Sequence, residues 1–284
     1  MKLVTYRQDR QQRIGAVRQD QIIDLSKVAP DMLTLIEAGQ PALAHARELI
    51  EAGADPIALE AVTLLAPIPL PRRNVMCLGQ NYREHAQEMA AIRQEERKPP
   101  TFFTKATHAV NGPYAAIPFD ASVSAQIDWE AELGVVVGRS GKSIPIAQAL
   151  DVVFGYVALN DVSARDLQYQ TSQYFIGKSL DGACPMGPWI VTADEIPDPQ
   201  NLHITCRVNG VTKQDSSTRQ MIYSVADIIS ILSHSMTLDA GDLIATGTPS
   251  GVGYARKPQE FLKPGDVVEV EIEKIGLLRN RVGK

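Results

Sequence analysis

Short apolar runs rich in β-branched residues dominate the chain beyond residue 71, and they limit the folds that it can adopt. Pro and Gly separate the runs, as is typical of strands joined by turns. The runs predict strands at Asn74–Leu78, Leu133–Val137, Val152–Leu159, Trp189–Thr192, His203–Val208, Asp242–Thr246 and Asp266–Ile272. Helical patterns are confined to the segments after Asn81 and Ser163 and to Ser224–Ser233. We therefore predict a mainly β domain with α insertions.

The first 70 residues have a different pattern. Three short strands are predicted at Leu3–Tyr6, Ile14–Val17 and Ile22–Leu25, and two helices at Met32–Ala38 and Pro41–Ala52, ending at Gly39 and Gly53. The segment Ala66–Pro71 then contains three prolines, which favour an extended connector. We therefore predict a small α+β domain over residues 1–70 and a larger domain over residues 71–284.

Composition excludes several classes of protein. The net charge of -5 argues against non-specific binding of nucleic acid, which depends on clustered Lys and Arg. No run approaches the roughly 20 apolar residues of a membrane span, and the N-terminus has no signal-peptide pattern. The three cysteines, Cys77, Cys184 and Cys206, show no zinc spacing and are too few for a disulfide framework. A cytoplasmic protein that contacts neither nucleic acid nor membrane is expected.

Alternating acids enter an apolar strand at Asp128, Glu130 and Glu132. Side chains of a strand alternate between faces, so these acids share one face, and neighbouring ones lie about 7 Å apart. The wet face of a half-buried strand would look the same. However, Leu133–Val137 continues as an apolar run that reads as buried on both faces, and acids entering a core repel each other unless a cation or a proton is present. Oxygen ligands favour Mg²⁺, Mn²⁺ or Ca²⁺ over zinc.

A third acid, Asp161, lies with Asn160 directly after the predicted strand Val152–Leu159. Alone it would read as a turn or cap residue. Ser163 is expected to cap a short helix on which Arg165 and Gln168 lie three residues apart and grip a carboxylate. The alternative for Arg165 is a surface ion pair with a nearby acid such as Asp166.

A strand, a glycine turn and a helix are predicted over Leu78–Met89, with Asn81 as N-cap and Glu84 three residues later. His85 and Glu88 then share a helix face, and a carboxylate beside an imidazole makes a candidate general base. Any His-x-x-Glu on an exposed helix would look alike, so the pair by itself is a weak signal.

Two further features carry possible chemistry. Lys178 follows an apolar stretch and is a candidate for stabilising negative charge, although a single Lys is usually solvated. The Gly/Thr-rich segment Ala245–Gly253 offers backbone N–H groups to an anion or, alternatively, forms a structural turn. It is no dinucleotide fingerprint, because no amphipathic helix follows.

These motifs together resemble the fumarylacetoacetate hydrolase family over Asn74 to about Val282. The residues that carry the resemblance are Leu78–Tyr82 with His85 and Glu88, Asp128–Gly134, Asn160–Asp166, Lys178–Ser179, Thr246–Pro249 and Leu262–Asp266. The resemblance implies a rolled β-sandwich, a homodimer, and a metal held by Glu130, Glu132 and Asp161.

The resemblance also implies a mechanism. A 2-oxo acid would chelate the metal, and His85 oriented by Glu88 would take a proton from water. The hydroxide would attack a carbonyl, the carbon–carbon bond would break, and Lys178 would help to hold the leaving enolate. Arg165, Gln168 and Thr248 would bind the carboxylate end of the substrate. The charged stretch from Arg93 to Pro100 looks like the family's lid.

The sequence departs from the animal enzymes that name the family, which carry a further carboxylate ligand where this chain has Gln80 and Asn81. We therefore expect similarity to compact bacterial members and rank four hypotheses. First is a C–C hydrolase of an acylpyruvate or related β-diketo acid, in catabolism of aromatic or carboxylic acids. Second is an isomerase of hydroxymuconate-type dienoates or an oxaloacetate decarboxylase. A non-catalytic metal and carboxylate-binding protein is third, and a purely structural role for the acids is fourth.

Overall fold

The structure is a computed structural model that describes residues 1–53, 56–93 and 100–283. Strands make up most of its regular structure. The strands are β1 (Lys2–Gln8), β2 (Gln11–Arg18), β3 (Gln21–Asp24), β4 (Ile57–Ala58), β5 (Thr63–Leu65), β6 (Val75–Gly79), β7 (Thr101–Lys105), β8 (Val110–Asn111), β9 (Ile127–Asp128), β10 (Ala131–Val137), β11 (Val153–Asn160), β12 (Ser163–Ala164), β13 (Cys184–Thr192), β14 (His203–Val208), β15 (Val211–Ser217), β16 (Leu243–Ala245), β17 (Val267–Ile272) and β18 (Gly276–Arg281).

Helices are few in the described ranges. The α-helices are α1 (Met32–Ala52), α2 (Arg83–Arg93), α3 (Arg165–Gln168), α4 (Phe175–Lys178) and α5 (Val225–Ser235), and short 3₁₀ turns lie at Leu59–Ala61, Thr107–Ala109, Ile146–Val152, Ala193–Glu195, Thr218–Gln220 and Gly253–Ala255. The expected mainly β fold with α insertions is confirmed. The stretch from Arg93 to Pro100 interpreted as a lid includes residues 94–99, which lie outside the described residues.

Two sheets form the body of the protein. The larger has the order β4-β3-β2-β1-β13-β11-β10-β16-β6-β7, with β5 beside β1 and β8 beside β13, and the smaller has the order β15-β14-β17-β18. Side chains from both sheets share one core, in which Val135 and Tyr156 of the larger sheet join Ile204 and Val270 of the smaller. Burial of these apolar side chains is the main favourable term that holds the two sheets together.

The N-terminal strands extend the larger sheet. β1 pairs antiparallel with β13, with Lys2 opposite Val191 and Leu3 opposite Ile190. The three strands predicted for this segment are confirmed. Because β1 is hydrogen-bonded to β13, the N-terminal strands and the strands that carry the site belong to one continuous sheet. The predicted domain division between residues 70 and 71 stays a prediction.

Helix α1 has a break where the sequence predicts one. Asp31 caps its start by accepting a 2.8 Å bond from the backbone N–H of Thr34. Gly39 has φ 62° and ψ −143°, outside the helical region, and Pro41 follows it. Gly53 ends the helix with φ 63°, a left-handed conformation that glycine adopts without a steric cost.

The central strands β10 and β11 bring the site residues together. Both strands are buried throughout, and Ala131 pairs with Asn160 in an antiparallel register. Glu130 and Glu132 flank Ala131, and Asp161 follows Asn160. Glu132 in β10, Glu130 just before it and Asp161 just after β11 therefore meet at the same edge of the sheet.

Three local predictions are wrong. The acid-bearing strand is not continuous: β9 ends at Asp128 and β10 begins at Ala131, because the backbone N–H of Glu130 donates to the side chain of Asn160 (3.0 Å) instead of a strand neighbour. Ser163 does not cap α3; it lies in β12 and donates its hydroxyl to the carbonyl of Asp161 (2.9 Å).

The third wrong prediction concerns the cap of α2. This helix begins at Arg83. The Asn81 amide instead donates to the carbonyls of Tyr223 (2.9 Å) and Thr246 (2.7 Å), and its oxygen accepts from the N–H of Tyr223 (2.8 Å). Because these partners are distant in sequence, the side chain of Asn81 connects its own segment to the segments that contain Tyr223 and Thr246.

Candidate active site

Three buried carboxylates form the centre of the site. Glu130, Glu132 and Asp161 each place one oxygen so that the three atoms lie within 4.8 Å of one another. All three side chains are at most 5% exposed. Among the described residues this is the group of acids whose geometry suits a metal ion. Their role as metal ligands stays a prediction.

Two lysines are buried against these acids. Nζ of Lys178 donates to Oε2 of Glu130 and to Oδ2 of Asp161, each at 2.7 Å. Nζ of Lys105 donates to the other oxygen of Asp161 (2.6 Å) and to the carbonyl of Val162 (3.0 Å). Burial acts to lower the pKa of Lys178, but Asp161 and Glu130 outweigh it and raise that pKa above its usual value. Lys178 therefore lies as a cation between two of the three carboxylates.

Arg165 lies beside the same acids. Its Nε donates to Oδ2 of Asp128 (2.8 Å), its Nη2 lies 2.7 Å from that oxygen and from Oε1 of Glu130, and its Nη1 donates to Oε1 of Gln168 (2.9 Å). The surface ion pair considered for Arg165 is thus absent. Arg165 and Gln168 lie on one short helix as predicted and contact each other, whereas their binding of a substrate carboxylate stays a prediction.

The charges of this buried group do not balance. Four acids, Asp128, Glu130, Glu132 and Asp161, face three bases, Lys105, Arg165 and Lys178, so one negative charge is left over when all are ionised. A buried charge without a partner is costly, and a bound cation is one way to remove that cost.

Glu132 is the acid that lacks a cationic partner among the described residues; it accepts a 2.7 Å bond from the N–H of Gly247. Burial, followed by the charges of Asp161 and Glu130, raises the pKa of Glu132 well above its usual range. In contrast, Lys178 and Arg165 outweigh the effect of burial and lower the pKa of Glu130 to about 2. A divalent ion beside Glu132 would more than offset the one unpaired negative charge, and an all-oxygen donor set fits a hard ion. The residues present therefore fit a divalent metal.

The predicted site residues surround one pocket. Seven of the nine line it: His85, Glu130, Glu132, Arg165, Gln168, Lys178 and Thr248. The other two, Glu88 and Asp161, lie directly behind them in contact with His85 and Lys178. An aromatic wall formed by Phe103, Tyr169 and Tyr174 completes the pocket, with the ring centres of Phe103 and Tyr174 5.6 Å apart.

His85 and Glu88 form the predicted pair on α2. Nδ1 of His85 lies 3.1 Å from Oε2 of Glu88, and the imidazole is 5% exposed. Glu88 also accepts bonds of 3.3 and 3.4 Å from the N–H of Gly251. Because Glu88 has these two partners, it holds the imidazole in one orientation at the pocket wall.

The Gly/Thr-rich loop binds the protein's own acids. The N–H of Gly247 donates to Glu132 and that of Gly251 to Glu88, while those of Gly253 (2.7 Å) and Tyr254 (2.9 Å) donate to Asp128. The N–H groups predicted to meet an anion thus meet carboxylates of the site. The backbone of this loop thus positions Glu132, Glu88 and Asp128, and its residue Thr248 lines the pocket.

Sequence reasoning missed Lys105 and Gln214. Lys105 closes β7 after a run of Thr and Phe, and a single Lys there gives no sign that it is fully buried. Gln214 lies in the polar hairpin strand β15, is 1% exposed and bonds to Ala131, Thr248 and Pro249.

Comparison with known proteins tests the resemblance. The family model for the C-terminal part of fumarylacetoacetate (FAA) hydrolase matches residues 74–283. The chain is similar to oxaloacetate tautomerase YisK of Bacillus subtilis (strain 168), with 43% identity over 270 residues, 92% of this chain and 89% of that protein.

Solved structures share the fold over their full length. The fumarylacetoacetate hydrolase EaFAH from the psychrophilic Exiguobacterium antarcticum has a TM-score of 0.87 at 41% identity, covering 100% of this chain and 99% of that one. Maleylpyruvate hydrolase from Sphingobium sp. SYK-6, solved with manganese (II) ion and pyruvate, has a TM-score of 0.83 at 29% identity and the same coverage. The family model matches most of the chain, and the identities and shared fold agree with it, so the expected resemblance is confirmed: the chain belongs to the fumarylacetoacetate hydrolase family.

Proposed function

We propose that this protein is a divalent-metal-dependent enzyme that interconverts the keto and enol forms of a small 2-oxo dicarboxylic acid of the oxaloacetate type. The observation that carries the proposal is a pocket lined by Glu130 and Glu132, with Asp161 behind them, and by His85, with Glu88 behind it. The 43% identity to an oxaloacetate tautomerase supports this reaction over others of the family.

The proposed metal ligands are Glu130, Glu132 and Asp161. Mg²⁺ is the first choice and Mn²⁺ the second, because both prefer oxygen donors. When bound, such an ion supplies Lewis acidity that stabilises negative charge on the oxygen of the oxo group.

The side chains around the pocket have separate roles in the proposed reaction. His85 carries the proton to and from the carbon next to the oxo group, with Glu88 fixing its orientation. Lys178, held by Glu130 and Asp161, contributes a fixed positive charge. Arg165, Gln168 and Thr248 bind the carboxylate end of the substrate.

A C–C hydrolase of an acylpyruvate is the second candidate. The His85–Glu88 pair favours it, because activation of water needs a general base at the pocket wall. The similarity to a maleylpyruvate hydrolase supports the same reading. Decarboxylation of oxaloacetate and isomerisation of a hydroxymuconate-type dienoate use the same residues and are tested beside it.

A turnover screen separates these reactions. Purified protein is stripped with a chelator, and Mg²⁺ or Mn²⁺ is restored before oxaloacetate, an acylpyruvate, fumarylpyruvate and a hydroxymuconate-type dienoate are offered. Faster metal-dependent equilibration of enol and keto oxaloacetate, with no loss of carbon, supports the proposed reaction. Two acids from an acylpyruvate would move the function to the hydrolase, and pyruvate with carbon dioxide to the decarboxylase.

The absence of turnover with all four substrates, together with tight metal binding, would favour a non-catalytic binding protein. A homodimer and a cytoplasmic location complete the proposal. Within the described residues no helix has the length and apolarity required to cross a membrane. Light scattering coupled to gel filtration measures the oligomeric state directly.

A further inference from the structure

Gln214 connects residues 130–132, which we call the metal-site strand, to Thr248 in the pocket wall. Its Oε1 accepts a 2.9 Å bond from the N–H of Ala131, the residue between Glu130 and Glu132. Its Nε2 donates to Oγ1 of Thr248 and to the carbonyl of Pro249, each at 2.8 Å. Both amide hydrogens of Gln214 are therefore used, and its side chain is 1% exposed.

These bonds determine how the Thr248 hydroxyl can act. A hydroxyl has one hydrogen to donate and two lone pairs that accept. Nε2 of Gln214 carries no lone pair, so Thr248 can only accept from it. The hydroxyl hydrogen of Thr248 must then point elsewhere, and Thr248 lines the pocket. Thr248 is thereby presented to a ligand as a donor.

Gln168 is arranged in the same way. Its Oε1 accepts a bond from Nη1 of Arg165 (2.9 Å). The amide nitrogen of Gln168 is therefore the group that can donate to a ligand. Gln168 and Thr248 both line the pocket. Two neutral side chains on this wall are thus polarised as donors, and carboxylate oxygens, which only accept, are the groups that match them.

We propose that Gln214 is a positioning residue that fixes the Thr248 hydroxyl as a hydrogen-bond donor to a carboxylate oxygen of the bound acid. The proposal rests on the proposed function, since it requires that a 2-oxo acid binds in this pocket. Gln214 acts through Thr248 and is not a member of the pocket lining. No step of the reaction requires it to touch the substrate.

A double-mutant cycle in ligand affinity tests the proposal. Calorimetry measures binding of oxalate and of malate, two unreactive chelating acids, to the manganese-loaded full-length protein. The variants are Gln214→Glu, Gln214→Met, Thr248→Val and each double replacement, with Thr248→Ser as the control that keeps a hydroxyl. Gln214→Glu is measured at alkaline pH, where its carboxylate retains the oxygen that accepts from Ala131 but replaces the donor with an acceptor, which draws the Thr248 hydrogen out of the pocket.

We expect Gln214→Glu to weaken acid binding about tenfold and Gln214→Met about fivefold, with Thr248→Ser close to wild type. In the Thr248→Val background both changes at Gln214 lose their effect on acid affinity. Manganese affinity, measured in the same samples, stays within about twofold for Gln214→Glu, because the bond to Ala131 remains.

Two results would overturn the proposal. Equal weakening by Gln214→Glu in the presence and absence of the Thr248 hydroxyl would show that Gln214 acts through the metal-site strand. Unchanged acid binding in both Gln214 variants would show that it does not position Thr248 at all. The failure of the wild-type, manganese-loaded protein to bind either acid is a separate outcome, and it would overturn the proposed function itself.

Discussion

Nε and Nη2 of Arg165 lie 2.8 and 2.7 Å from the same oxygen of Asp128, and both side chains are buried. Asp128 and Glu130 outweigh the effect of burial and raise the pKa of Arg165 well above its usual value. Because Nη2 also lies 2.7 Å from Glu130, this ion pair connects the Gly/Thr-rich loop to a proposed metal ligand. Removal of one partner leaves a buried charge uncompensated.

The replacement Asp128→Asn is therefore expected to lower the free energy of unfolding by about 3–5 kcal/mol. Urea denaturation followed by circular dichroism measures this change. The matched control is Asp215→Asn, which breaks the ion pair with His203 that is 58% and 63% exposed. That variant should lose no more than about 1 kcal/mol. Equal losses in the two variants would contradict a special role for the buried pair.

Glu132→Gln is expected to stabilise the metal-free protein while abolishing metal binding. The pKa of Glu132 is raised by burial and by Asp161 and Glu130. The folded state thus keeps a proton that the unfolded chain releases near pH ~4.3, so the stability of the metal-free wild type falls as the pH rises above that value. Gln has no proton to release and removes this dependence.

Thermal unfolding with excess chelator, from about pH 5 to about pH 9, tests this prediction. At the alkaline end the variant should exceed wild type by at least about 1 kcal/mol. Addition of Mn²⁺ should reverse the order, since only wild type gains binding energy. Parallel pH profiles for the two chelated proteins would show that Glu132 ionises freely without metal.

His85→Asn should separate catalysis from metal binding. His85 lies outside the group of three carboxylates, so manganese affinity should remain near the wild-type value. Turnover in tautomerisation or hydrolysis should fall ~10²–10⁴-fold, the usual contribution of a positioned acid or base. His45→Asn, on the exposed face of α1, serves as the control. Undiminished decarboxylation of oxaloacetate by His85→Asn would identify a reaction in which His85 has no part.

Lys178→Met is expected to reduce kcat/KM by ~10²–10³-fold without weakening metal binding. The ammonium group shares Glu130 and Asp161 with the proposed metal, so its removal leaves those oxygens more negative. Titration with Mn²⁺, followed by electron paramagnetic resonance, measures the affinity. Lys142→Met, at an exposed position, controls for loss of a surface charge. A large loss of manganese affinity in Lys178→Met would instead indicate that this lysine maintains the shape of the site.

Much of the site was predictable because its residues follow local rules. Glu130 and Glu132 alternate along the chain, so strand geometry predicts that they share one face, whereas Asp161 was joined to them by the family resemblance and its proximity follows from the pairing of β10 with β11. His85 and Glu88 lie one helical turn apart, and their contact forms as the spacing predicts. The break of α1 at Gly39 and its end at Gly53 follow from the conformational range of glycine.

The remaining features depend on contacts between distant segments. Lys105 meets Asp161 across 56 positions, and Gln214 meets Ala131 across 83. Neither lysine nor glutamine carries a local signal of such a partner. The interruption of the acid-bearing strand has the same origin, since the side chain of Asn160, 30 positions away, takes the N–H of Glu130. Sequence periodicity predicts which residues share a face, but not which side chains replace the ladder bonds.

The pairing of β1 with β13 also has a consequence for the order of events during synthesis. Leu3 emerges from the ribosome long before Ile190, its neighbour in the sheet. At the usual rate of about 5–20 residues per second, the first strand waits on the order of ten seconds or more for that partner. Residues Thr5–Arg7 of β1 pair with the earlier strand β5. The end of β1 around Leu3 is therefore expected to expose an unpaired edge during translation, and such an edge is a site where nascent chains associate wrongly or chaperones bind.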